Sequence, residues 1–177
     1  ARECAERLRA IGAVSRSPDV PFTWASGLHS PIYCDNRVPL SDPQPRDLIA
    51  DGLASLVRTN FHQVDVVAGT ATAGIAHAAL AADRLGAPMA YVRSAPKDHG
   101  RGNQIEGRIP ARSQVVMVED LISTGGSVLK AAEAVKGEGS TVVGVLALFS
   151  YELEKGHCAV EKAALPLYTM SHYPTQI

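Results

Sequence analysis

Two acidic residues stand side by side at Glu119-Asp120, and a run of hydroxylic residues and glycines, Ser123-Thr124-Gly125-Gly126-Ser127, follows them closely. Glycines allow a tight turn that points successive N–H groups inward. Ser123, Thr124 and Ser127 add hydroxyl donors. Such a turn, opening onto the positive end of a helix, is a socket for a phosphate dianion. It lacks the lysine that a Walker A loop places before its Ser/Thr, and it lacks the GxGxxG spacing. Two carboxylates would repel a phosphate, so they must face something else. Ionised carboxylates only accept hydrogen bonds, and sugar hydroxyls donate them. A sugar phosphate therefore suits the stretch better than a bare phosphate. An ordinary strand-to-helix turn, its acids favoured by the helix dipole, accounts for the same residues.

The elements that must hold this stretch are legible around it. Val115, Val116 and Val118 make a β-branched run suited to a buried parallel strand. After the turn, Val128, Leu129, Ala132 and Val135 share one side of a helix. A second small-residue turn, Gly69-Thr70-Ala71-Thr72-Ala73-Gly74, lies between a predicted strand at 64–68 and a predicted helix at 73–85 that Gly86 stops. Its small side chains suit either a close approach to an anion or tight packing of helix on strand. Upstream, 41–59 reads as a helix with Ser41 or Asp42 as cap, prolines in its first turn and Leu48, Ile49, Leu53, Leu56 and Val57 as its stripe. Further strands are expected at 89–92, 141–148 and 165–170, with partial helix over 151–164. Helix and strand alternate, which predicts an α/β fold with a central parallel sheet flanked by helices.

Two segments break that rhythm. Residues 22–37, FTWASGLHSPIYCDNR, carry turn formers and brief extended pieces and are too apolar for a linker. With a short helix at 3–12, they read as a small N-terminal layer over the sheet, or a hairpin covering its edge. Residues 93–112 are charged, glycine-rich and without apolar periodicity, and a structureless run of that length is functional or disordered. Ligands of open α/β sheets bind beyond the carboxyl ends of the strands. The 69–74 turn, the loop from Arg93 and the 119–127 stretch all fall there.

Composition narrows the classes. A chain of 177 residues suits one domain, with a hood over about 1–40 and a core over about 41–177. A net charge of −1 and 5% aromatics offer neither a basic face nor stacking platforms for nucleic acid. No apolar run approaches the ~20 residues of a membrane span. Cys4, Cys34 and Cys158 are odd in number and lack metal spacing, and the charged N-terminal region lacks a signal-peptide core. The expectation is a cytoplasmic protein with free thiols.

VVMVEDLISTGGS, at 115–127, resembles the phosphoribosyl-pyrophosphate (PRPP) signature of the type I phosphoribosyltransferases. The resemblance implies that Glu119 and Asp120 hold the ribose hydroxyls, that Leu121, Ile122, Ser123, Thr124, Gly125, Gly126 and Ser127 hold the 5-phosphate, and that Thr70 and Ala71 meet pyrophosphate. YVRSAPKDHGRGNQIEG, at 91–107, resembles the catalytic loop of the orotate-specific members. There Arg93, Lys97 and His99 match positions that grip PRPP, and the loop reaches the partner subunit's site, which implies a homodimer. Arg101 and Arg108 extend the cationic run. Cations over departing pyrophosphate stabilise the transition state, and closure excludes water. Ser94 stands where many members have a second lysine.

The 22–37 segment resembles the part of the orotate enzymes that lies over the base, with Phe22 or Tyr33 packing on it, Ser26 and Gly27 bonding its edge, and Ser123 and Thr124 also touching it. Ala25 replaces a common lysine, leaving His29 as the nearest ionisable candidate for orotate's carboxylate. The resemblance spans roughly 22–149, and the chain stops early relative to many members, which implies a missing C-terminal helix. Mg²⁺ is expected to travel with PRPP, near Glu119 and Asp120 but without dedicated protein ligands. The implied reaction turns orotate and PRPP into orotidine 5′-phosphate and pyrophosphate, in pyrimidine synthesis. A transferase for another base and a non-catalytic PRPP sensor are the alternatives.

Overall fold

The computed structural model describes residues 2–23, 27, 29–96 and 103–172. Helix α1 (Arg2–Ala10) buries Cys4, Ala5 and Leu8, and the chain leaves it through Gly12 at φ +74°. Four short strands follow: β1 (Val14–Arg16), β2 (Phe22–Thr23), β3 (His29–Ser30) and β4 (Ile32–Cys34). They form two antiparallel ribbons, β1 with β4 and β2 with β3, rather than the single hairpin that the turn formers suggest. Strand β1 has only three residues and half-exposed or exposed side chains, so no apolar alternation announces it.

Helix α2 (Pro43–Asn60) starts as its sequence dictates: the Asp42 carboxylate accepts from the Gln44 N–H at 3.0 Å, and Pro43 sits in the first turn. It buries Ile49, Ala50, Leu53, Ala54 and Val57, while Leu48 and Leu56 stay half-buried. Then come β5 (Val66–Thr70), α3 (Gly74–Leu85), β6 (Met89–Val92), β7 (Ile105–Glu106), β8 (Gln114–Ile122), α4 (Gly126–Gly137), β9 (Thr141–Ser150), α5 (Glu154–Lys162) and β10 (Leu167–His172). Gly86 ends α3 in the left-handed conformation, φ +62°, where a side chain would be strained.

These strands form one six-stranded sheet in the order β10-β9-β8-β5-β6-β7. Every neighbouring pair is parallel except β6 and β7, where Tyr91 faces Glu106 and Val92 faces Ile105. The expected structureless run thus returns to close the sheet edge. Both faces are covered, which is why β8 reads as a continuous apolar run. Val115 and Met117 pack with Val128, Val135 and Val160 of α4 and α5. Val116 and Val118 pack with Leu8, Ile49, Leu53 and Ala78 of α1, α2 and α3. The chain passes from β5 to β6 on one side, then returns to place β8 on β5's other side. The switch point between β5 and β8 opens a crevice at their carboxyl ends. Among the described residues no helix is long and apolar enough to cross a membrane.

Candidate active site

Two cavities open around that crevice. One, of about 300 Å³, is lined by Thr70 and Ala71 after β5, Arg93 and Ser94 after β6, Gln104, and Thr124, Gly126, Ser127, Lys130 and Ala131 around the start of α4. The other, of about 370 Å³, lies under the hood and is lined by Thr23, Tyr33, Cys34, Asp35 and Arg37 together with Ala73, Asp120, Leu121, Ser123 and Tyr151.

The acidic pair belongs to neither turn nor loop. Strand β8 runs beyond the valine run to Ile122, so Glu119 and Asp120 lie within its last four residues. Glu119 is only 6% exposed, and its Oε1 accepts the Asp120 N–H at 3.0 Å. Burial first, then a side-chain hydrogen bond with Asp120 and after it the Asp120 charge, push its carboxyl up to about 9. The free protein therefore keeps Glu119 protonated at neutral pH, whereas the sequence suggests an ionised pair. Asp120 is half-buried and faces the cavity under the hood.

A clamp that sequence inspection does not reveal holds Asp120. Asn36, fully buried, donates from Nδ2 to the Asp120 carbonyl at 2.8 Å. Its Oδ1 accepts from the Cys34 thiol at 3.2 Å, and its own carbonyl accepts from His77 Nε2 at 2.8 Å. The carbonyl partner places the His77 proton on Nε2, and burial lowers that histidine's pKa, so the ring is neutral. Burial also pushes the Cys34 thiol up to about 12, leaving it an inert lining group. The Tyr151 hydroxyl accepts from the Cys34 N–H at 3.3 Å, and burial raises its pKa as well. None of the three cysteines is in a disulfide.

The phosphate-type socket has the expected shape. Gly125 precedes α4 at φ +75° and packs against Gly156 and Val160. No side chain caps the helix, so its first-turn N–H groups stay open to an anion. Thr124, Gly126 and Ser127 face the 300 Å³ cavity, while Leu121 and Ser123 face the other. The Ile122 side chain is core, so only its backbone can serve the site. In the 69–74 turn the two readings divide by residue. Gly69 and Gly74 serve packing, since a Cβ on Gly74 would lie 2.6 Å from the Val118 carbonyl. Thr70 and Ala71 line the cavity.

Arg93 is held at its backbone by Gln104, in both directions at 2.9 Å, and its guanidinium lies 3.9 Å from Glu106. Arg108 instead borders a separate depression beside Glu138. Tyr33 faces the hood cavity, with Phe22 tilted against it at 5.7 Å. Phe22 thus backs Tyr33 without lining the cavity. Gly27, at φ +81°, and His29 do not line it either; His29 Nδ1 is 3.1 Å from the Thr23 hydroxyl. Lys97, His99 and Arg101, with Ser26 and Ala25, lie outside the described residues. Lys130 and Gln104 in one cavity, and Arg37, Asp35 and Tyr151 in the other, are further lining residues whose part in the site neither residue type nor spacing discloses. Among the described residues no cluster of three or more metal-ligating side chains occurs.

The model of the phosphoribosyl transferase domain matches residues 40–171. Over all 177 residues the chain is 88% identical to the orotate phosphoribosyltransferase of Cutibacterium acnes, covering 82% of that protein, and 56% identical to that of Enterococcus faecalis, covering 84%. Among solved structures it resembles the orotate phosphoribosyltransferase of Aeropyrum pernix, with a TM-score of 0.84 and 32% identity over 97% of this chain and 94% of that one. The Mycobacterium tuberculosis enzyme in complex with PRPP superposes with a TM-score of 0.77 and 25% identity over 99% of this chain and 97% of that one.

Proposed function

The chain belongs to the phosphoribosyl transferase family and, within it, to the orotate phosphoribosyltransferases, and from that premise we propose how its own residues divide the work. The enzyme transfers the 5-phosphoribosyl group of PRPP to orotate, giving orotidine 5′-phosphate and pyrophosphate, in pyrimidine biosynthesis. Likeness over the whole chain to orotate enzymes sets aside the two rival readings, another base and a non-catalytic sensor.

The observation that carries the assignment of residues is that Asp120 lines the cavity under the hood while Thr124, Gly126 and Ser127, a few residues on, line the other, with Glu119 buried beside Asp120 on the same strand. PRPP spans the two. Its 5-phosphate sits in the 123–127 turn, at the uncapped start of α4. Its ribose hydroxyls donate to Asp120 and to Glu119, which releases its proton to solvent as the sugar arrives. Thr70, Ala71, Arg93, Lys97 and His99 hold the pyrophosphate. Orotate lies on Tyr33 with Ser123 and Thr124 at its edge, and its ring nitrogen attacks C1 as the bond to pyrophosphate breaks. Positive charge grows on the ribose in the transition state, so its hydroxyls become more acidic and bind the carboxylates more tightly than in the ground state. That differential binding accelerates the step.

The donor set fits a Mg²⁺ that arrives with PRPP: Asp120, a half-buried carboxylate on the cavity wall, would offer it an oxygen ligand beside those of the substrate. When bound, the ion neutralises pyrophosphate charge. Hood and core act as one unit in a homodimer whose 91–107 loop serves the neighbouring site, and the enzyme works in the cytoplasm. Mixing the protein with PRPP, Mg²⁺ and orotate should consume orotate and release pyrophosphate in equal amounts. Turnover of another base with orotate untouched would overturn the assignment.

A further inference from the structure

Orotate differs from uracil by one carboxylate, and a charge-assisted pair with a cation is the strongest way for a site to receive it. Two carboxylates, Asp35 and Asp120, line the cavity under the hood. Its one cationic lining residue among those described is Arg37. His29, the nearest ionisable residue by sequence, turns to Thr23 and does not reach the cavity wall.

Resting on the orotate reading above, we propose that Arg37 binds the orotate carboxylate and sets the preference for orotate over uncarboxylated pyrimidines. Arg37 is already aimed. Its Nε donates to Asp35 Oδ1 at 2.8 Å and its Nη2 to Asp35 Oδ2 at 3.0 Å, a two-pronged pair that fixes the plane of the guanidinium. The Asp35 carboxylate also accepts the Arg37 N–H at 3.1 Å, so the local turn holds both ends of the pair. A guanidinium has five donors, and this pair uses two. Nη1 has no partner among the described residues, and the side chain is 63% exposed. The remaining donors are free for a second carboxylate on the same wall as Tyr33, with the base ring against the aromatic face. Lysine could not do both jobs, because its ammonium has no planar fork.

The test compares wild type, Arg37→Ala and Arg37→Lys, measuring KM for orotate, KM for PRPP and the inhibition constant of uracil. Loss of a charge-assisted pair should raise the orotate KM by roughly 10- to 100-fold. KM for PRPP and inhibition by uracil should stay within about twofold, since neither ligand uses the group, and Arg37→Lys should recover part of the loss. An unchanged orotate KM in Arg37→Ala, or equal weakening of orotate and uracil, would overturn the proposal. Wild-type turnover of orotate in the same assay keeps the parent assignment standing in either case, and its absence would sink that assignment instead.

Discussion

Replacing Glu119 by glutamine should stabilise this protein, and the gain should depend on pH in a defined direction. Burial and the adjacent Asp120 raise the carboxyl from an ordinary value of 4.5 to about 9. At pH 7 the carboxyl of the unfolded chain has ionised while the folded one has not. The gap between 4.5 and pH 7 penalises the folded state by about 3 kcal/mol, taking about 1.4 kcal/mol per pKa unit. The stability associated with this group is thus fully present below pH 4.5 and is lost as pH rises through about 9. Glutamine has no such proton to keep. It matches the shape, and its side-chain oxygen can still accept the Asp120 N–H now bound by Oε1. Allowing for relaxation around the site, Glu119→Gln should gain about 1–3 kcal/mol at pH 7, little at pH 5 and more at pH 8.5. Urea titrations of both proteins at the three pH values, read by midpoint and slope, measure the combined effect on Glu119 and its neighbour Asp120, while titrating groups remote from the pair cancel. A variant less stable at pH 7, or a gain that does not change with pH, would refute the reasoning. The same variant should bind PRPP more weakly, because the carboxylate's destabilisation is kept for the ribose.

Lys97→Ala should lower kcat by about 100-fold or more while PRPP binding weakens little, as expected of a contact made mainly in the transition state; single-turnover kinetics with a binding titration separate the two. Mixing Lys97→Ala with Asp120→Asn should restore part of the activity through hybrid dimers, and no rescue at any mixing ratio would place both residues in one subunit's site. Gly74→Ala should cost about 1–3 kcal/mol and raise KM for PRPP, because its Cβ would meet the Val118 carbonyl at 2.6 Å beside Glu119; thermal melts and initial rates check this. Gly156→Ala should disturb the 123–127 turn, since its Cβ would collide with the Ser123 carbonyl; the readout is PRPP affinity, which should fall even in a variant that still melts cooperatively.

The sequence by itself determined the features whose causes are local. Asp42 followed by prolines starts α2, Gly86 ends α3, and the valine run makes the buried part of β8. Glycines and hydroxyls make the turn at the start of α4, and the small 69–74 turn fits between β5 and α3. Each follows from backbone sterics, capping or periodicity within a few residues. Tertiary structure decided what depends on distant neighbours. Strand β8 extends through the acidic pair because β9 continues alongside it as far as Ser150. Ile105–Glu106 becomes an edge strand only because Tyr91 and Val92 offer it partners. Asn36 reaches the Asp120 carbonyl across 84 positions of chain, and Arg37 enters the cavity beneath the hood by the same fold. The protonation of Glu119 lies in no motif, since it is set by how much of the protein surrounds the carboxyl, and desolvation is a property of the packed whole.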